Sequence, residues 1–490
     1  MPPNRLENYF NLLHVVYITP ANMTHLRKIC ICILYTISIS FCITAQHVDS
    51  ALFFKSSISR LSKAIQIRTI SYDDHSKYDS TVFYNFKKLL EESYPLVHKN
   101  LTRYVINHFS FIYEWKGSNK MLRPYVLMAH SDVVPVEEEA LSLWTVPPFE
   151  GKIINDTIWG RGTVDDKGSL IAILEAIEFL LLNQYTPQRT IYFCCGHDEE
   201  ISGLLGASSI VDWFRQQNIR PELVLDEGLE VLDKKFPGLK KPIALIGIGE
   251  KGHATFELLV KKSGGHSSAP ENETSIDILV GALNRLQNKQ SPAKLIPIVD
   301  TFLRTIKGNM PFSIRSAISN QWIFKKSILR QMEKYYVTNA IIRTTLVTTI
   351  IKSGIKDNVI PTIATATVNC RLLPGETLDE VESFIYKVID DPRVQLSRTS
   401  NCWEVPPFTS PESAAYKTIE RLTHQFFPDA TTAPFFVIGA TDSRYFRTIS
   451  EGVINFNPVV DSDGVHGIDE RRGVRDFERM ILFYMQLIKS

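Results

Sequence analysis

The sequence predicts an α/β fold: a mainly parallel sheet flanked by helices, with an α+β lid or dimerisation unit inserted into it. Three observations lead there. Short, wholly apolar runs recur at Tyr125–Ala129 (YVLMA), Thr190–Cys195 (TIYFCC) and Leu223–Leu225, with helical stretches between them. That alternation is the pattern of buried parallel strands joined by right-handed crossovers. Most of these runs lead directly to a His or a carboxylate: His130, then Glu199 and Glu200, then Asp226. In open α/β sheets the carboxyl edge of the strands is where ligands bind. After about Gly249 the texture changes to alternation, as in HATFELLVKK and ATATVNCRL, which suits half-exposed antiparallel strands.

The elements follow in order. Residues 55–115 read as helix, loop, helix and strand, with Leu89, Leu90, Tyr94 and Leu96 on one apolar side. After the first buried strand, Trp144–Gly162 is loop-rich. GSLIAILEAIEFLLLN then carries Leu170, Ile173, Leu174, Ile177 and Leu181 at helical spacing. A helix is expected over Gly203–Phe214. Beyond Gly249 come a strand, a helix at Ser275–Leu286, an apolar but poorly periodic stretch from Ile296 to Ile351, a strand at Ala364–Leu372, a helix at Leu378–Ile389 and a strand at Val394–Thr399. The outer domain resumes with a helix at Ala414–Phe427, strands at Phe435–Gly439 and Gly452–Asn455, and a helix from about Val474. The predicted organisation is a catalytic domain in two parts, 50–249 and 406–490, around an insertion at 250–405.

At 490 residues the chain is too long for one ordinary core. A net charge of +1, with no basic stretch interleaved with aromatics, leaves a nucleic-acid role without support. From Met23 the chain reads MTHLRKICICILYTISISFCITAQ, a positive start, an apolar run and small residues for cleavage. This predicts a secretory signal peptide at 23–45 behind an upstream extension of 1–22, the alternative being an uncleaved membrane anchor. Secretion or a secretory-pathway lumen is the expected location. Sequons at Asn100, Asn155 and Asn272 add weak support. Neighbouring Cys194 and Cys195 point to opposite faces of a strand and do not suit a bond to each other, whereas one disulfide, for example Cys370–Cys402, could form.

The chemistry is concentrated in five short strings. In HSD, His130 and Asp132 share a strand face, which suits a metal-bound imidazole steadied by a carboxylate. GRGTVDDKG places Asp165 and Asp166 after two glycines and before a helix, where one acid can bind a ligand and the other cap the helix. In HDEE, one of Glu199 and Glu200 can bind metal while its neighbour serves as general base. Asp226 ends a strand, with Glu227 as the alternative ligand, and His466 lies between Gly464 and Gly467. Two imidazoles and three carboxylates suit one Zn²⁺ or a pair. In the insertion, SGGHSSAP offers His266 as a donor to a developing oxyanion. Asn358 and Arg371 could hold a substrate carboxylate, and the loop with Asp442 and Arg444 could shape the pocket.

From about Ser71 onward these motifs, in this order, resemble the aminoacylase and carboxypeptidase-G family of co-catalytic zinc metallopeptidases. MAHSDVVPV, WTVPPFEG, GRGTVDDKG and HDEEISG look closest to its carboxypeptidase S and N-fatty-acyl-amino-acid-processing members. The resemblance implies two Zn²⁺ ions per subunit, one held by His130 and Asp226, the other by Glu200 and His466, with Asp165 bridging through a cis peptide to Asp166. It makes Glu199 the base and Asp132 the residue orienting His130. His266 would polarise the scissile carbonyl, in some relatives from the partner subunit of a homodimer formed through the lid, and Asn358 and Arg371 would bind the substrate's carboxylate. The implied substrate is a small amide with a free carboxylate. The expected reaction is cleavage or formation of N-fatty-acyl amino acids, the alternative a carboxypeptidase S-like or dipeptidase activity on short peptides. Phe302, Met310, Phe312, Trp322 and Phe324 would line an acyl pocket or pack the lid.

Overall fold

Among the described residues the two larger sheets are built from β1 Thr102–Ile106, β2 Ser110–Trp115, β3 Tyr125–His130, β4 Ile191–Gly196, β5 Leu223–Asp226, β6 Val231–Leu232, β7 Ile243–Glu250, β8 Gly252–Lys261, β9 Thr345–Ser353, β10 Ile363–Leu372, β11 Val394–Arg398, β12 Thr431–Val437 and β13 Val453–Asn455. They belong to a computed structural model that describes residues 50–235 and 238–490. The leader at 23–45 and the extension before it lie outside the described residues. Phe54–Ser490 forms one compact unit.

The main sheet runs β1-β2-β4-β3-β5-β13-β7-β12, with β6 paired to β7. Its heart is four parallel neighbours, β4, β3, β5 and β13. All four are buried along their length, which is why they read as continuous apolar runs. The flanks depart from a purely parallel plan. β1 and β2 form an antiparallel hairpin on β4, and β7 meets β13 antiparallel while pairing parallel with β12.

The helix Lys167–Leu182 crosses from β3 to β4 and packs against the last helix, Val474–Ile488. Its mid-point holds Glu175, fully buried and held by Ser57 Oγ at 2.7 Å, Tyr94 OH at 2.8 Å and the Arg60 guanidinium at 2.5 Å. A charge so placed needs all three partners, because an unpaired carboxylate there would carry its full desolvation cost.

The inserted unit is a four-stranded antiparallel sheet in the order β9-β10-β8-β11. On β10 buried and half-exposed residues alternate as its sequence does. Helices Ser275–Asn288 and Leu378–Ile389 cover its apolar face, and each begins with a capping box, Thr274 with Asp277 and Thr377 with Glu380.

The stretch that lacked periodicity breaks into short helices, Pro297–Ile306, Phe312–Ser319, Gln321–Met332 and Tyr336–Ala340, before β9 begins. Its buried residues pack on the main sheet: Val299, Phe302 and Ile306 share a cluster with Ile243, Leu245 and Phe435, and the Phe302 and Phe435 rings are 4.7 Å apart. Phe302 and Met310 are therefore core, whereas Phe312, Trp322 and Phe324 face outward. Cys370 and Cys402 are both free thiols, and Cys402 Sγ accepts from Thr255 N at 3.3 Å. Among the described residues no helix is long and apolar enough to cross a membrane.

Candidate active site

The carboxyl ends of β3, β4 and β5 lie side by side, so the segments leaving them deliver their polar residues to one place. His130 is the last residue of β3, and its Nε2 lies 2.9 Å from Asp165 Oδ1 and 3.2 Å from Glu227 Oε1. The other oxygen of Asp165 is 2.9 Å from His466 Nε2, which is in turn 3.1 Å from Glu200 Oε2. Two trios result, His130–Asp165–Glu227 and Asp165–Glu200–His466, and each presents ligand atoms within 4.8 Å of one another. Asp165 belongs to both. The Asp165–Asp166 peptide is cis.

One ligand assignment changes. Asp226 was expected beside His130, but the structure brings Glu227 there instead. Asp226 is the last residue of β5, and its Oδ2 accepts from Ser443 N at 2.8 Å. Successive side chains leave a strand on opposite faces, so the carboxylate after Asp226 is the one that turns toward His130.

Asp132 does more than orient an imidazole. It sits 3.3 Å from His130 Nδ1 and accepts from Ser71 Oγ at 2.7 Å. It also accepts the backbone N–H groups of Glu199 at 3.2 Å and Glu200 at 3.1 Å. One buried carboxylate therefore ties the end of β3 to the loop after β4.

Several organising residues carry no signal in the sequence. Glu470 accepts from the backbone N–H groups of Gly162, Val164 and Asp165, at 2.9, 2.8 and 3.2 Å, and pairs with Arg161 at 2.6 Å. It thus shapes the loop that carries the shared carboxylate. In GIDERRG it reads as part of a solvated charge run. Gly162, at φ +91°, permits the turn, as its motif suggested. Asp198 accepts from Leu205 N and Gly206 N at 2.8 Å and folds the HDEE loop back on itself. Asp166 occupies the cap position of the following helix without a side-chain cap bond.

The electrostatics are those of a crowded acidic pocket. Burial opposes the charge of Asp165, yet hydrogen bonds from His130 and His466 hold its carboxyl well below the ordinary range. Burial likewise works against protonated His130, but Glu227, Asp132 and Asp165 overrule it and raise its pKa. Hydrogen bonds to Asp165 and Glu200 lift His466 to about 10. Burial, reinforced by neighbouring carboxylates, raises Glu199, Glu200 and Glu227. Among the described residues Glu200 Oε1 is buried with no hydrogen-bond partner. Convergent imidazole nitrogens and an excess of carboxylates, buried at His130 and open to solvent at His466, make a good fit for divalent cations.

The residues read as substrate contacts divide. His266 stands on an exposed two-residue strand paired with Val359, and its Nδ1 accepts from Ser268 N at 3.1 Å. With Nδ1 accepting, Nε2 is the ring nitrogen left to donate. Asn358 is next to it, its carbonyl accepting from Ser267 N. His130 and the carboxylates are not among the partners of either. Arg371, near the end of β10, lies deep enough that burial and the charge of Arg444 lower its pKa, while Glu199 and Glu250 oppose the shift. Arg444 stacks on Trp403 at 4.5 Å and donates to Thr441 O at 2.7 Å. Asp442 is buried against two glycines: a Cβ on Gly203, at φ +63°, would lie 2.0 Å from its Oδ1, and one on Gly196 would lie 2.7 Å from Oδ2. Arg371 and Arg444 thus bring positive charge to the neighbourhood of Glu199 from the inserted and the outer domain respectively.

A parallel sheet with paired imidazole–carboxylate trios at its carboxyl edge, beside a spare buried Glu, defines a metal-dependent hydrolase. The profile of peptidase family M20/M25/M40 matches residues 126–490, and the chain belongs to that family. It acts on amide or peptide bonds. It is 39% identical over 460 residues to probable carboxypeptidase S-like 2 of Dictyostelium discoideum, covering 91% of this chain and 88% of that protein. It is also 39% identical over 441 residues to the human N-fatty-acyl-amino acid synthase/hydrolase PM20D1, covering 88% and 86%. Among solved structures, the metallo-carboxypeptidase Sso-CP2 of Sulfolobus solfataricus superposes with a TM-score of 0.66 at 19% identity, over 88% of this chain and 98% of that one. At that identity the likeness speaks for the fold.

Proposed function

We propose that this chain is a two-zinc amidohydrolase that cleaves, and in reverse forms, the amide bond of N-fatty-acyl amino acids. The observation that carries the reading is the pair of trios sharing Asp165, with Glu199 adjoining the ligand Glu200. His130, Asp165 and Glu227 would hold one Zn²⁺, and Asp165, Glu200 and His466 the other. When bound, the ions polarise a carbonyl and acidify water.

The protein's own residues do the rest. Glu199, kept protonatable by burial and by neighbouring acids, takes a proton from the attacking water and passes it to the leaving amine. Asp132 holds the backbone of that base in place. Arg371 and Arg444 attract the free carboxylate of the amino-acid half, and Arg371 keeps its donors available for a bidentate grip. His266 donates through Nε2 to the developing oxyanion once the lid, or the lid of a second subunit in a homodimer, brings it to the site. The exposed setting of His266 supports that dimer.

Fatty-acyl preference rests on the identity to the human and related synthase/hydrolases. A carboxypeptidase acting on short peptides is the second reading, favoured by equal identity to the slime-mould protein. The signal-like segment at 23–45 and the exposed sequon residues Asn100, Asn155 and Asn272 support passage through a secretory compartment.

The test is hydrolysis of N-oleoyl-phenylalanine, N-acetyl-phenylalanine and a blocked dipeptide side by side, with and without chelator. Chelator-sensitive preference for the oleoyl compound is the expected result. Preference for the dipeptide moves the assignment to the peptidase, and chelator-resistant turnover removes the metal mechanism.

A further inference from the structure

The helices between Phe312 and Ala340 carry an outward face that the fold does not use. Their inward residues, Ile318 and Met332, join the buried cluster with Phe302 and Phe435 and fasten the segment to the main sheet. Outward, Trp322 is 85% and Tyr336 88% exposed, and Phe312, Ile323 and Val337 lie open beside them in sequence. A single exposed apolar side chain is ordinary, but so many on consecutive short helices call for a partner.

The same stretch is cationic. Arg315, Lys325, Lys326, Arg330 and Lys334 stand against one acid, Glu333, whose carboxylate is engaged by Arg343. Among the described residues none of these five cations forms an ion pair.

We propose that this face docks on an anionic phospholipid surface. Trp and Tyr place amphipathic rings at the level of lipid headgroups, and Ile and Phe reach the acyl boundary beneath them. Lys and Arg on the same short helices meet the negative headgroups, each adding to the attraction. A second copy of the chain would oppose five cations to five cations, which disfavours self-pairing through this face. Among the described residues these side chains form no hydrogen bond or ion pair with the acids around Asp165, so lipid docking does not depend on the substrate.

The test is flotation of the full chain with phosphatidylcholine vesicles, with and without about 30 mol% phosphatidylserine. The variants are Trp322→Ser/Tyr336→Ser, Lys325→Glu/Lys326→Glu, and Lys88→Glu as a charge control elsewhere on the surface. The apolar run Ile29–Phe41 is common to all, so differences between variants report on this face. The expected result is salt-sensitive binding to the anionic vesicles, weakened about tenfold or more in both double variants and unchanged in the control. Hydrolysis of a soluble short-chain amide should be equal in all four proteins. The proposal is overturned by absence of wild-type binding or by equal binding of the double variants. It is equally overturned if the face instead mediates a dimer that Trp322→Ser/Tyr336→Ser abolishes without any vesicle binding.

Discussion

Two adjacent acids at the end of β5 face different partners, and substitution separates them. Glu227→Gln is expected to lose one of two bound metal ions and nearly all turnover. Asp226→Asn, which alters the acceptor of Ser443 N and of the Thr441 hydroxyl but not the neighbour of His130, should keep both ions. Metal content by elemental analysis after gel filtration decides this. Retention of two ions by Glu227→Gln would return the ligand role to Asp226. Glu199→Gln should keep its metal and lower kcat by about 10²–10⁴-fold, read from steady-state kinetics on an amide substrate. His130, Asp165, Glu200 and His466 were legible in the sequence because each follows a recognisable apolar or glycine-rich string. Glu227 over Asp226 was not, because the choice depends on which face of the sheet the strand's last residue takes.

At the scale of elements, the loop Gly160–Asp166 is held from a distance of some three hundred residues of chain by Glu470. Glu470→Ala leaves Arg161 buried and unpaired and three backbone donors without their acceptor. The expected loss is about 3–5 kcal/mol, measured by chemical denaturation of the metal-free protein. A loss under about 1 kcal/mol would show that water or another acid takes over the role. Strands β3, β4 and β5 and the helices between them were readable because full burial writes an unbroken apolar run. β7 was missed, since its glycines at 247 and 249 interrupt the pattern. The helices from 297 to 340 were illegible for another reason: they are short, and they divide their apolar residues between a buried and an exposed face. Glu470 carries no signal of its own because a buried ion pair and a solvated charge run use the same letters.

For the whole molecule, proton and metal compete for the same nitrogens. In the metal-free state His466 is lifted to about 10 by Asp165 and Glu200. Its contribution to stability is complete below its unfolded value of about 6.5 and is lost as pH rises through the folded value. A cation must displace that proton, so metal affinity should climb with pH between about 6 and 9, by up to tenfold per unit for each proton released. Calorimetric titration in buffers of different ionisation enthalpy measures the release directly, and a pH-independent affinity would exclude the protonated-pocket account. The order of the strands has a further consequence. β13, drawn from the last forty or so residues, lies between β5 and β7 in the middle of the main sheet, and His466 follows it. A nascent chain therefore holds nearly every ligand long before the sheet has its centre. A chain cut before Val453 would lack both this central strand and His466, so it is expected to show no turnover.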